Sequence, residues 1–232
     1  MILEKGTELR IKTGNDPATK RVVGHRRFYV AADIGFQDPT GIVLIKDERL
    51  PMFDGTKQVL GPRTRVIVFA DMFKEVEYSD IADYLQELLT RPAIKGKVSL
   101  SIDASGVGAP FSSFLRKRKV KHMSVKITAG DATKRRGDDH HVSKGILIGE
   151  LANAIEQGDL LIADDLPLKD RIMRELEAFE VKVTPAGNQI LSITRSSNVG
   201  HGDLAIASSI GLYHSNQAWL GPAEGQLEGY WY

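Results

Sequence analysis

Cysteine is absent from the 232 residues, which excludes disulfide scaffolds, thiolate zinc sites and cysteine nucleophiles. No run of about 18 apolar residues occurs, so no membrane-spanning helix is expected. The opening MILEKGTELRIKTGND is too polar for a signal-peptide apolar region. No GxxxxGK[ST] pattern occurs, so the chain by itself is not a P-loop motor. Aromatic residues are sparse at 7%, and no internal repeat is found. What is present is ordinary for a globular domain with a real core, 42% hydrophobic and 26% charged residues. An intracellular protein is the simplest expectation.

A net charge of +1 says nothing about partners, but its distribution does. Between Leu115 and Lys144 lie ten basic residues and three acids, a net of +7, while the rest of the chain carries a net of −6. A compact basic stripe on an otherwise acidic protein is the footprint expected for a polyanion partner. The competing reading is a solvated helix face joined to a loop.

Residues before about His25 show no periodicity and read as an arm. RFYVAADIG and TGIVLIKD, separated by Gln37-Asp38-Pro39, read as two strands of a hairpin. Leu50 to Arg63 holds two prolines and two glycines and reads as a loop. RVIVFADMF is a third strand. SDIADYLQELLT is an amphipathic helix with Ser79 as N-cap. KVSLSID is a strand ending at Asp103, FSSFLRKRK a short helix and VKHMSVKIT a strand. AGDATKRRGDDHH has no core-forming residues and reads as a mobile loop. Ser143 opens a helix closed by Gly158, followed by DLLIADDLP as a strand and LKDRIMRELEAF as a helix. VKVTPAGNQILSITR reads as a hairpin turning at Ala186-Gly187-Asn188, and DLAIASSIGLYHSN as the last helix. This order predicts one α/β domain with a mixed sheet.

Four polar residues stand where the pattern does not ask for them. Asp33 interrupts the apolar run Val30-Ala31-Ala32-Asp33-Ile34, costly unless something cationic pairs with it; the alternative is a strand-end turn cap. Gly35 then permits close approach of a backbone or ligand. Asp103 repeats the arrangement after Leu100-Ser101-Ile102. With both strands central, their C-terminal ends form one crevice, the usual ligand position in open α/β sheets. Ser105-Gly106-Val107-Gly108 is either a phosphate-cradling turn or a tight entry to a helix. Asp203, in Gly200-His201-Gly202-Asp203, is a third acid or a helix N-cap. Lys144 opposes the macrodipole of the helix it begins, which makes sense facing carboxylates or a phosphate; a solvated lysine is the alternative. Three aspartates brought together repel, and oxygen-only donors select Mg²⁺ or Mn²⁺. Two such ions about 4 Å apart can drive phosphodiester hydrolysis. Neither His140-His141 nor His201 has metal-ligand spacing, so surface or capping roles are expected for them.

VAADIG, VSLSIDASGVG and GHGDLAIASSIGL, in this order and with VSKGILIGELANAIEQGDLLIADDLPLKDRIMRELEAF between the last two, resemble the nuclease domain of phage terminase large subunits. The resemblance spans about Phe28 to His214. It implies an RNase H-like mixed central sheet flanked by helices with an added β-hairpin, organised as an arm (residues 1–26), a nuclease domain (27–216) and a tail (217–232). It also implies a metal-dependent endonuclease cutting concatemeric viral DNA during genome packaging. Asp33, Asp103 and Asp203 would be the metal-binding and catalytic acids, Asp38 a further acid and Lys144 a lysine at the site. Two Mg²⁺ or Mn²⁺ ions would be the cofactors. Double-stranded DNA would be the partner, contacted through Arg116, Lys117, Arg118, Lys119, Lys121, Lys134, Arg135 and Arg136. The terminase small subunit and portal are partners of the larger assembly, no membrane is involved, and the location is the cytoplasm of the infected host. The family's N-terminal ATPase domain has no counterpart in this sequence. A Holliday-junction resolvase or transposase core, an actin-like ATP-binding protein and a non-catalytic DNA-binding module remain as alternatives.

Overall fold

The computed structural model describes residues 2–5, 8–11, 23–35, 38–55, 57–130, 133–183, 189–193 and 202–217. The chain begins with strands β1 (Ile2–Lys5), β2 (Glu8–Ile11), β3 (Val23–Asp33), β4 (Thr40–Asp54) and β5 (Lys57–Phe73). Then come α1 (Tyr78–Thr90), β6 (Val98–Asp103), α2 (Gly108–Lys117), β7 (Met123–Thr128), β8 (Lys134–Arg136) and β9 (Asp139–Ser143). The last part holds α3 (Lys144–Glu156), β10 (Leu160–Ile162), α4 (Lys169–Glu177), β11 (Phe179–Val183), β12 (Gln189–Ile193) and α5 (Asp203–Gln217).

Strand alternation decides the layers. Along β3, Tyr29 and Ala31 point to one face of the sheet and Phe28, Val30 and Ala32 to the other, all buried. The first face packs against α3, α4 and α5 through Leu147, Leu151, Ile172 and Ile210. The second packs against α1 and α2 through Ile81, Leu85, Phe111 and Leu115. Burying each such side chain contributes about 1.5–3 kcal/mol, which fixes both helical layers on the sheet. The sheet order is β10-β5-β4-β3-β6-β7-β9-β8. β3, β6, β7 and β9 run parallel, while β3–β4, β4–β5 and β8–β9 are antiparallel. This is the mixed RNase H-like sheet, and β11–β12 forms a separate antiparallel hairpin beside it. The turn expected at Ala186-Gly187-Asn188 lies outside the described residues, as does the tail from residue 218.

Four local expectations are corrected. Leu50–Arg63 is not a loop: β4 and β5 continue through it as one long hairpin. Its prolines sit around a register shift between Arg49 and Pro51, and a bulge is where a strand tolerates proline. Lys134–Ser143 is not a mobile loop but the edge pair β8–β9, turning at Gly137 with φ +59. Helix α1 starts from Glu77 with no side-chain cap, and the Ser79 hydroxyl instead meets Asp80 at 3.4 Å. In the stretch before residue 26, which carries no sequence periodicity, β1 pairs with β2 and β2 with β3. By contrast, Ser143 does cap α3, its Oγ accepting from the Gly145 N–H at 3.2 Å.

Candidate active site

The parallel register brings distant residues to one edge of the sheet. Asp33 closes β3 and Asp103 closes β6. These strands are neighbours, Ala32 opposite Ile102, so the two carboxyl groups emerge side by side. Thr128 of β7 stands opposite Ser143 of β9, which delivers Lys144, first residue of α3, to the same edge. Asp203, first residue of α5, arrives because that helix start lies against β4. A Cβ at Gly41 would stand 2.8 Å from the Asp203 carbonyl carbon and oxygen, so only glycine fits there. The four residues line one pocket of about 520 Å³, together with Asp38 and Ser105. All five site positions expected from the sequence are thus gathered.

The turn after β6 serves Asp103. Its Oδ1 accepts from the Ser105 N–H at 2.7 Å, and the Ser105 Oγ accepts from the Ile127 N–H at 2.7 Å. The Gly108 N–H donates to the Ser105 carbonyl at 2.8 Å, so the glycine pair makes a tight entry to α2. At Gly35, the atom nearest a hypothetical Cβ is the Asp38 carbonyl oxygen, so close backbone approach is what that glycine permits.

Electrostatics sets this pocket apart. Burial pushes the Asp33 carboxyl well above the usual carboxylate range, with Asp103 and Asp203 pushing the same way and Lys144 opposing them. Burial also raises Asp103, with the hydrogen bonding at Ser105 opposing it first and Asp33 and Lys144 pushing the same way as Ser105. The Lys144 ammonium lies 5.3 Å from the centre of the Phe179 ring at the start of β11, so the added hairpin supplies a wall for it. Among the described residues, no three carboxylate or imidazole groups are already gathered into a set able to hold an ion. The donor chemistry nevertheless fits a hard divalent cation, being all oxygen and carboxyl-rich with one lysine.

The basic stripe divides. Arg116, Lys134, Arg135 and Arg136 line a second pocket of about 550 Å³, joined by Lys126. Ala104 and Lys126 line this pocket while their chain neighbours Asp103, Ser105 and Ile127 line the acid pocket, so the two abut across the ends of β6 and β7. Arg116 is tied to Asp139. Arg118 instead pairs with Asp83 of α1 and lies over the Phe114 ring. Lys119 and Lys121 line a different cavity with Val98 and Met123, at the starts of β6 and β7, and Lys117 is exposed.

His140 is corrected from a surface or capping role: it is 6% exposed. Its Nδ1 accepts from the Tyr213 hydroxyl at 2.9 Å and its Nε2 donates to the Gly137 carbonyl at 3.1 Å, and burial lowers its pKa. His141 is exposed, and His201 lies outside the described residues. The residue that sequence reading misses is Glu175, fully buried on α4. The available signal was its position on the apolar stripe of that helix, three residues after Ile172 and seven after Leu168.

No family model and no curated protein sequence matches the chain. Solved structures do match. The large terminase nuclease of thermophilic phage G20c, crystallised with bound cobalt, is 18% identical with a TM-score of 0.56, over 91% of this chain and 89% of that one. The nuclease domain of the Thermus phage P74-26 large terminase is 18% identical with a TM-score of 0.53, over 89% and 85%. Against a large terminase from another thermophilic bacteriophage, at 16% identity and a TM-score of 0.53, this chain spans only 38% of that chain's length. With the sheet order, the flanking helices and the added hairpin all in place, this chain has the fold of phage large terminase nuclease domains.

Proposed function

We propose that this chain is a divalent-cation-dependent endodeoxyribonuclease that cuts concatemeric viral DNA during genome packaging. One observation carries the reading: Asp33, Asp103, Lys144 and Asp203, spread over 170 residues of sequence, line one pocket. The abutting basic pocket supports it by offering a path for the phosphate backbone. A nuclease of the same fold has been crystallised with magnesium. In this reading Asp33, Asp103 and Asp203 would hold two Mg²⁺ or Mn²⁺ ions, with Asp38 at the rim. When bound, such ions would neutralise the carboxylates and polarise the phosphate.

The chain's own groups then have separate tasks. The strand-end acids fix one wall of the site, and Asp203 faces them from α5. Lys144 places a positive charge where negative charge grows on the phosphoryl oxygens. Hydrolysis adds one water: its oxygen bonds phosphorus, one P–O ester bond breaks, and a carboxylate takes the water's proton. The departing oxygen is protonated by solvent, leaving a phosphate monoester and a hydroxyl. Arg116, Lys134, Arg135 and Arg136 hold the duplex, with exposed Lys117 a further contact and Arg118, Lys119 and Lys121 outside this pocket. The small subunit, the portal and a cytoplasmic location in the infected host belong to the larger assembly of which this chain would be the cutting part.

The test is a cation screen on supercoiled plasmid with the wild type and Asp103→Ala. Nicking that needs Mg²⁺ or Mn²⁺ and vanishes in the variant supports the reading. A wild type inert with every cation overturns it. A parallel arm with branched DNA separates a resolvase, which prefers junctions over linear duplex.

A further inference from the structure

Helix α5 begins from a glycine. The Ile206 N–H bonds to the Gly202 carbonyl at 2.8 Å, which makes Gly202 the capping position, and glycine has no side-chain acceptor. Its φ of +82 also disfavours the serine, threonine or aspartate that usually caps a helix. The amides of the first turn still need acceptors. Glu175 provides one from another helix. Its Oε2 accepts from the Leu204 N–H at 2.9 Å and the Ala205 N–H at 3.1 Å. Its Oε1 accepts from the Arg171 Nε at 2.9 Å, one turn back on α4. The side chain is 0% exposed, so no water substitutes for these bonds.

We infer that Glu175 is a positioning residue of the acid pocket, fixing the first turn of α5 and so the direction in which Asp203 presents its carboxylate. This rests on the nuclease reading above. Asp203 belongs to the turn whose next two amides Glu175 holds, and it is itself 4% exposed, so a shift of that turn moves its carboxyl group directly. A cap needed for folding alone could come from a neutral side chain, without crowding the carboxylates. An anionic cap binds the helix start more firmly, and firmness matters where a ligand must hold its direction.

Outer partners of metal ligands typically govern metal affinity by 10–100-fold, and displacing a reacting group by about 1 Å can cost about 10²-fold in rate. The experiment compares wild type, Glu175→Ala and Glu175→Gln in plasmid nicking across a Mn²⁺ titration. Duplex affinity in chelator and hydrogen exchange at the Leu204 and Ala205 amides are measured alongside. Glu175→Ala is expected to lower kcat by about 10²-fold and raise the half-saturating Mn²⁺ about tenfold. Its duplex affinity should stay at the wild-type value, and exchange at the two amides should quicken. Glu175→Gln, which keeps an acceptor oxygen but loses the charge, is expected to recover only part of both losses and to stay measurably short of wild type in kcat and in Mn²⁺ requirement. If Glu175→Ala does not fold, Glu175→Gln decides: a lowered kcat and a raised Mn²⁺ requirement support the role, and wild-type values for both overturn it. A folded Glu175→Ala with wild-type kcat and Mn²⁺ requirement also overturns it. A wild type that binds no DNA and cuts none fails differently, overturning the nuclease reading together with the role built on it.

Discussion

Acid should weaken this protein through one histidine more than through the rest. His214 sits in the last turns of α5, its ring edge-on to Tyr29 with centres 5.1 Å apart. Its Nδ1 is buried and has no hydrogen-bond partner among the described residues. Burial drives its pKa down from 6.5 to about 4, with His140 pushing the same way and Asp138 weakly opposing. A folded-state value below the unfolded one means that the unfolded chain binds the proton more tightly. The stabilisation is therefore complete above pH 6.5 and is lost as pH falls through about 4. At about 1.4 kcal/mol per pH unit, that span represents about 3 kcal/mol. Each kcal/mol moves the melting temperature of a chain this size by about 2–4 °C, so the His214 share is about 6–12 °C.

His214→Phe keeps a flat ring against Tyr29 and removes the titration. Melting curves of both proteins at pH 7.5, 5.5 and 4 give the comparison. The wild type is expected to fall progressively relative to the variant below pH 6.5, the difference in melting temperature changing by about 6–12 °C across the range. Burial also depresses His25, His122 and His140, but these are common to both proteins and cancel in the difference. Parallel pH profiles would refute the reasoning, because they would mean that His214 meets the proton equally well folded and unfolded. The functional consequence follows from position: α5 begins with Asp203 and carries His214 in the same helix, so acid loosens the element that holds a site carboxylate.

For Asp103, raised in the fold by burial, the sign runs the other way: stability is present below the ordinary carboxylate value and is lost as pH climbs through the raised one. Asp103→Asn should thus melt about 2–4 °C higher than wild type in chelator at neutral pH if about 1 kcal/mol is released, and gain less from Mn²⁺; a lower melting point and an equal metal shift would refute a shared site. Lys144→Ala should cut kcat strongly with duplex affinity unchanged, the mark of a transition-state contact, and Phe179→Leu should do the same more mildly by removing the ring beside the ammonium. Neutralising Lys134, Arg135 and Arg136 together should flatten the salt dependence of DNA binding by about 2–3 units of log–log slope, and an unchanged slope would remove β8 from the interface.

What the sequence made legible was whatever a local pattern could carry. The apolar runs ending at Asp33 and Asp103 announce buried strands, and a charge at the end of a buried strand has few places to go except a crevice. Helices α1, α3 and α4 announce themselves by their apolar stripes, and Gly158 with φ +74 closes α3 as read. What stayed hidden depends on partners far away in sequence. β8 and β9 are almost all polar, so nothing in Lys-Arg-Arg or Asp-His-His predicts strands; they form because β7 offers an open edge to β9 and His140 reaches Tyr213, 73 residues on. The prolines around residue 51 mark a bulge only once β4 and β5 are paired. Glu175 is the sharpest instance. On its own helix it is an acid on the wrong face, and its meaning comes from two amides 29 and 30 residues later. An apolar stripe broken by one carboxylate is therefore a readable signal of a different kind: it says that a donor must come to that residue, without saying which. In this fold the first turn of α5 is that donor, and the residue it carries is Asp203.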